Sequence, residues 1–181
     1  NENTSTQPLS NYGVSKLTGE LYIKMYRDFG IKSTIFRLFN VYGPGQDFRN
    51  MKQGMASIFA SQLITSGKIQ VTGSLERYRD FVYVEDVVDA LLLGLDKKTD
   101  GATINVGTGI KTKVKDLIES IISCSEYAIN DVVVENIGGH EGDQHGSVSD
   151  CHFLRKLGWE SKISLNTGLD KMYISANKEL K

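Results

Sequence analysis

A short apolar run, Ser33-Thr34-Ile35-Phe36-Arg37-Leu38-Phe39, lies between two stretches of helical periodicity, and this order constrains the fold more than any other feature of the chain. A run rich in β-branched and aromatic residues, without alternation, reads as a strand buried on both faces, the kind that parallel sheets contain. Ahead of it, Leu17, Leu21, Met25 and Phe29, with Ile23 and Tyr26, recur at helical spacing as far as Gly30. That spacing predicts a helix beginning near Tyr12. Behind it, a loop over 40–54 is punctuated by Gly43-Pro44-Gly45, and a second helix is predicted over 53–66. Its apolar side is Met55, Ile58, Phe59, Leu63 and Ile64. The alternation continues, with strands predicted over 69–72, 81–84, 103–106 and 132–134. Helices are predicted over 84–95, 114–124, 150–157 and 165–176. The helix over 84–95 is apolar nearly all round, so it is predicted to be buried. Strands alternating with helices define an α/β architecture.

Composition narrows the function. With 181 residues, 40% of them hydrophobic, the chain can bury a core. A net charge of −1 and a pI near 6.4 leave no electrostatic footprint for nucleic acid. No run approaches transmembrane length, and the polar residues 1–7 do not read as a signal peptide. Cys124 and Cys151 have no metal-type spacing, and a reduced, cytoplasmic setting is expected. No nucleic acid, membrane or metal ligand is therefore expected.

Three places carry candidate chemistry. Tyr12 and Lys16 are four residues apart, so a helix stacks them on one face. A cation beside a phenol favours the phenolate and suits the pair to proton transfer. Asn40 stands where the buried strand gives way to a loop, the position at which open α/β sheets receive ligands. Arg79 lies just before the strand over 81–84, and its planar fork suits a pyrophosphate. Gly107-Thr108-Gly109 lacks the third glycine of a dinucleotide loop and reads as a structural turn. His140-Glu141-Gly142-Asp143-Gln144-His145 offers imidazoles and carboxylates, but reads more readily as a polar loop than as a metal site.

Five segments recur in one order: Pro8 to Glu20 with Tyr12-Gly13-Val14-Ser15-Lys16; Arg37-Leu38-Phe39-Asn40-Val41-Tyr42-Gly43-Pro44-Gly45; Arg79-Asp80-Phe81-Val82-Tyr83-Val84; Asn105-Val106-Gly107-Thr108-Gly109; and Gly142-Asp143. As a set they resemble the extended short-chain dehydrogenase/reductases, in the NAD-dependent nucleotide-sugar epimerase and dehydratase branch. The resemblance implies the C-terminal half of a Rossmann-type doubly wound sheet plus a smaller α/β substrate-binding lobe. It implies that residues 1–40 and 82–107 belong to the NAD-binding part, and 41–81 and 108–181 to the substrate lobe. The family's glycine-rich fingerprint and catalytic Ser/Thr would precede Tyr12, so the chain is expected to be a fragment, inactive alone.

By the same resemblance, Tyr12 and Lys16 are catalytic and also touch NAD, with Phe39, Asn40 and Val41. Asn40, Gln53, Arg79 and Asp143 are expected on the substrate, a nucleotide-diphosphate sugar and most simply a UDP-sugar. C4 epimerisation is favoured over 4,6-dehydration. The family often has an arginine where this chain has His140, which cannot make the bidentate fork, so either Arg79 or another basic residue must hold the phosphates. The helix at Tyr12 lies in the usual dimer interface of the family; a homodimer, or association through the exposed half-sheet, is expected.

Overall fold

The computed structural model describes residues 1–52, 54–139 and 145–181. Helix α1 (Asn11–Arg27) opens at Ser10, whose hydroxyl accepts the Gly13 N–H at 3.1 Å. Lys24 and Arg27 occupy its last turn, where the helix dipole favours cations. Strand β1 (Ile35–Leu38) follows, and after Phe39 the chain continues as β2 (Asn40–Tyr42). Then come α2 (Met55–Ser66), β3 (Lys68–Val71), β4 (Tyr78–Arg79), β5 (Phe81–Tyr83), α3 (Val84–Leu93), β6 (Thr103–Val106), β7 (Thr112–Lys113) and α4 (Val114–Ser123). Strand β8 (Val133–Asn136), α5 (His152–Lys156) and α6 (Leu165–Leu180) complete the chain.

Three of the strand pairs are parallel. Strand β1 runs beside β6 with Ile35 opposite Thr103, β2 beside β5 with Asn40 opposite Phe81, and β3 beside β8 with Lys68 opposite Val133. The chain from Ile35 to Tyr42 thus changes partner midway. Phe39 donates its N–H to Val106 at 2.9 Å, and Asn40 donates to the Asp80 carbonyl at 3.0 Å. At that fork, strands β6 and β5 part, and a crevice opens at their ends.

Two cores hold the chain. The larger joins α2, α4 and α6 over β3 and β5, with Phe48, Leu63, Ile69, Leu117, Ile121, Leu169 and Met172 fully buried. Each such side chain contributes about 1.5–3 kcal/mol by leaving water. The smaller gathers Val82, Val87, Ala90, Ile104 and Val106 with Leu154 and Trp159. The Trp159 indole donates to the Asp86 carbonyl at 2.9 Å, and the Asp86 carboxylate accepts the N–H groups of Lys162 and Ile163.

Four expectations need correction. Strand β1, expected to be buried on both faces, has no fully buried residue, and Leu38 is 47% exposed. The loop expected from residue 40 begins as strand, because pairing with β5 outweighs the Gly-Pro punctuation that follows. The segment over 73–79, for which no strand is predicted, ends in β4, paired antiparallel with β7. Helix α3 is not buried all round: Ala90 is fully enclosed, yet Leu92 is 59% exposed and Val88 and Leu91 are exposed beside it. Helix α3 packs against β5 and β2, with Val87 and Ala90 meeting Leu154 and Trp159 in the smaller core.

Candidate active site

The site grows from the fork between β1 and β2. A cavity of about 710 Å³ opens there, lined by Tyr12 from α1, Leu38, Phe39, Asn40, Val41 and Tyr42 from the forked strand, Phe81 from β5, and Gln46, Lys52, Gly54, Met55 and Ala56. Ligands of open α/β sheets bind outside the carboxyl ends of such strands. Tyr12 is 70% exposed and borders the cavity. The Lys16 ammonium lies 5.3 Å from the centre of the Tyr12 ring, as helical spacing by four dictates. The second tyrosine of the cavity, Tyr42, is chemically different. Burial pushes its phenol well above the ordinary range, and its hydroxyl donates to the Leu165 carbonyl at 3.2 Å. Tyr42 is a structural phenol and Tyr12 the accessible one.

Helix α1 is tied to the sheet by an ion pair. Arg37 on β1 donates Nε and Nη2 to the two oxygens of Glu20, each at 2.7 Å. Those hydrogen bonds hold the Glu20 carboxyl below its usual range. Glu20 is two helical turns from Tyr12, so the fork of Arg37 also fixes where Tyr12 stands over the strands.

Asp80 anchors Asn40, a role that sequence reading did not assign. It is 0% exposed. Its carboxylate accepts from Thr108 N at 2.8 Å, Thr108 Oγ1 at 2.7 Å, Gly109 N at 3.0 Å, Ser149 N at 3.0 Å and Ser149 Oγ at 2.5 Å. Its carbonyl accepts both the backbone and the side-chain N–H of Asn40, the latter at 3.2 Å. Gly107 has no room for a side chain there, since a Cβ would meet Asp80 Oδ2 at 2.7 Å. The Gly107-Thr108-Gly109 segment is thus a turn folded onto a buried carboxylate.

The structure brings Tyr12, Phe39, Asn40 and Val41 to one cavity, with Lys16 beside Tyr12. Arg79 stands on β4, next to Asp80, outside the lining of that cavity; its Nη1 donates to the Tyr78 carbonyl at 2.8 Å. Arg77 is buried and turned onto its own loop, donating to the carbonyls of Thr72 and Ser74. Gln53, His140 and Asp143 lie outside the described residues. His145 is described, and its ring meets the Tyr78 ring edge-on at 5.5 Å. Among the described residues, no group of three or more His, Cys, Asp or Glu could hold a metal ion, and no helix is long and apolar enough to cross a membrane.

Residues 1–107 match the NAD dependent epimerase/dehydratase family, and the chain belongs to that family. It is 37% identical over 175 residues to a Methanocaldococcus jannaschii protein provisionally named as a UDP-glucose 4-epimerase, covering 94% of this chain and 54% of the relative. The fold is also that of the solved Thermotoga maritima UDP-glucose 4-epimerase with UDP-glucose: TM-score 0.88, 32% identity, covering all of this chain and 60% of the other. The Thermus thermophilus UDP-glucose 4-epimerase complex with NAD gives a TM-score of 0.84 and 27% identity, covering 94% of this chain and 55% of that one. The chain spans about half the length of the curated relatives it matches.

The family's cofactor is NAD. The donors present fit one end of it: an accessible hydroxyl, a neighbouring ammonium, and a cavity walled by Phe39, Asn40 and Val41 suit a ribose and a flat ring. The sequence has no glycine-rich strand-turn-helix segment that would receive the pyrophosphate.

Proposed function

We propose that this chain forms the tyrosine-bearing and sugar-binding half of an NAD-dependent nucleotide-sugar epimerase acting at C4 of a UDP-sugar. The observation that carries this reading is that Tyr12 and Asn40 border one cavity at the fork of a parallel sheet, with Lys16 beside Tyr12. The Tyr12 oxygen would take the proton of the C4 hydroxyl and return it after the transient keto-sugar has turned its other face. Lys16 would hydrogen-bond the nicotinamide ribose. Asn40, pinned by Asp80, would hold the sugar, Arg79 would contact the phosphates, Gln53 the nucleotide and Asp143 its ribose. When bound, NAD supplies a reversible hydride acceptor.

Residues 1–40 and 82–107 are assigned to the cofactor-binding part, and 41–81 and 108–181 to the substrate lobe, with α5 and Trp159 packing back onto β6. The chain alone is expected to turn over no substrate. Helix α1 buries none of its residues, and Phe29 is 76% exposed near its end. That face supports self-association as a homodimer or pairing through the half-sheet; light scattering that gives only monomer would argue against both.

The assay offers UDP-glucose and UDP-N-acetylglucosamine to the protein that joins this chain to a cofactor-binding half. A C4-inverted sugar is expected. A 4-keto-6-deoxy product would assign the dehydratase reaction instead, and no product with either sugar would reject the proposed substrate class.

A further inference from the structure

We propose that Lys52 supplies a second cation, besides Arg79, to the diphosphate of a nucleotide sugar in this site. The inference rests on the proposed function and names a residue that neither the motifs nor the matched segments single out. A diphosphate sugar carries about two negative charges beside a neutral sugar, so a cavity that takes the sugar needs a fixed cation at its border. Among the described residues lining the 710 Å³ cavity, Lys52 is the one cation, and there is no carboxylate.

Its position fits a ligand with two ends. Lys52, Gly54 and Met55 also line a neighbouring cavity of about 470 Å³, bounded by Ile58, Gln62, Gln70, Thr72 and Arg77. They therefore form the border between the two spaces. The sugar half of the ligand belongs with Tyr12 and Asn40; a charged linker leaving that cavity by this border passes Lys52.

The local backbone presents the lysine there. Asn50 Oδ1 accepts the Lys52 N–H at 3.0 Å, closing an Asx turn. Gly54 follows at φ 83°, a conformation that side-chain-bearing residues rarely adopt, and a Cβ there would meet Ser57 Oγ at 2.5 Å. The competing cations have other work. Arg49 reaches the Glu179 carbonyl at 3.2 Å, and Arg77 holds the carbonyls of Thr72 and Ser74. Lys52 is exposed and makes no ion pair among the described residues, so its charge is available to a ligand.

The test is calorimetric titration of the protein that joins this chain to a cofactor-binding half with UDP-glucose, UDP and uridine, for the wild type, Lys52→Gln and Lys52→Arg. Lys52→Gln is expected to weaken UDP-glucose and UDP by about tenfold, as loss of one charge-assisted contact does, and uridine by less than about twofold. Lys52→Arg should bind both diphosphates nearly as the wild type does. The Lys52→Gln deficit should shrink as salt is raised. Equal binding of UDP-glucose by wild type and Lys52→Gln would overturn the assignment, as would an equal loss for uridine. Failure of the wild type to bind either diphosphate would reject the proposed function itself, and the lysine's role with it.

Discussion

Arg37 grips both oxygens of Glu20 at 2.7 Å, and this ion pair, with the hydrogen bonds of Arg27 to Ser33 and the Ala102 carbonyl, ties the Tyr12 helix to the sheet. Glu20→Gln should cost about 1–3 kcal/mol, the range for hydrogen bonds to a charged group. The pH dependence follows from the direction of the shift. The Arg37 hydrogen bonds hold the Glu20 carboxyl below its ordinary range in the folded state. Its stabilisation is therefore complete above the ordinary carboxylate value, and is lost as pH falls through the lowered one. Urea denaturation of wild type and Glu20→Gln should show a gap at neutral pH that closes in acid. A gap independent of pH would contradict the assignment.

Asp80 makes a second, larger demand on stability. Asp80→Ala strands donors from Thr108, Gly109 and Ser149 in a site closed to water, and should cost about 3–5 kcal/mol. Asp80→Asn keeps the volume but presents an amide to donors, so it should not restore the loss. Thermal melts of the two variants check this. A variant within about 1 kcal/mol of wild type would show that the turn at residues 107–109 does not depend on the carboxylate.

The sequence revealed some of this and hid the rest for identifiable reasons. Periodicity placed α1, α2 and α4 because each has one apolar stripe, and β6 and β5 because they are short β-rich runs. Helix α3 misled, since an apolar residue at every turn says nothing about whether a neighbour covers Leu92. Strand β2 was hidden by the glycines and proline after it; its partner, β5, lies about forty residues away in sequence. Separation in sequence also concealed Asp80, whose donors on Thr108, Gly109 and Ser149 lie 28 to 69 residues away. Tyr12 and Lys16 were legible because four-residue spacing is a local property of a helix. Lys52 was not, because lining a cavity is a property of the folded chain.

Both thiols should be slow nucleophiles. Burial and the neighbouring Asp170 carboxylate push the Cys124 thiol up to about 12, and its Sγ donates to the Ser120 carbonyl at 3.1 Å. Burial likewise raises Cys151, whose Sγ donates to the Gly107 carbonyl at 3.0 Å. Since the thiolate is the reacting form, the folded chain at pH near 8 should take up little iodoacetamide, and the denatured chain two equivalents. Intact mass measures both, and rapid double labelling of the folded chain would contradict the packing of these residues.

The central claim is that Tyr12 moves the proton in the cavity at the strand fork. The most direct measurement is turnover and substrate binding of Tyr12→Phe, in the protein that joins this chain to a cofactor-binding half. The expected result is turnover lower by about 10²–10⁴, the range for loss of a general base, with UDP-glucose affinity changed by less than about threefold. Turnover preserved in Tyr12→Phe would place the proton transfer elsewhere and contradict the account.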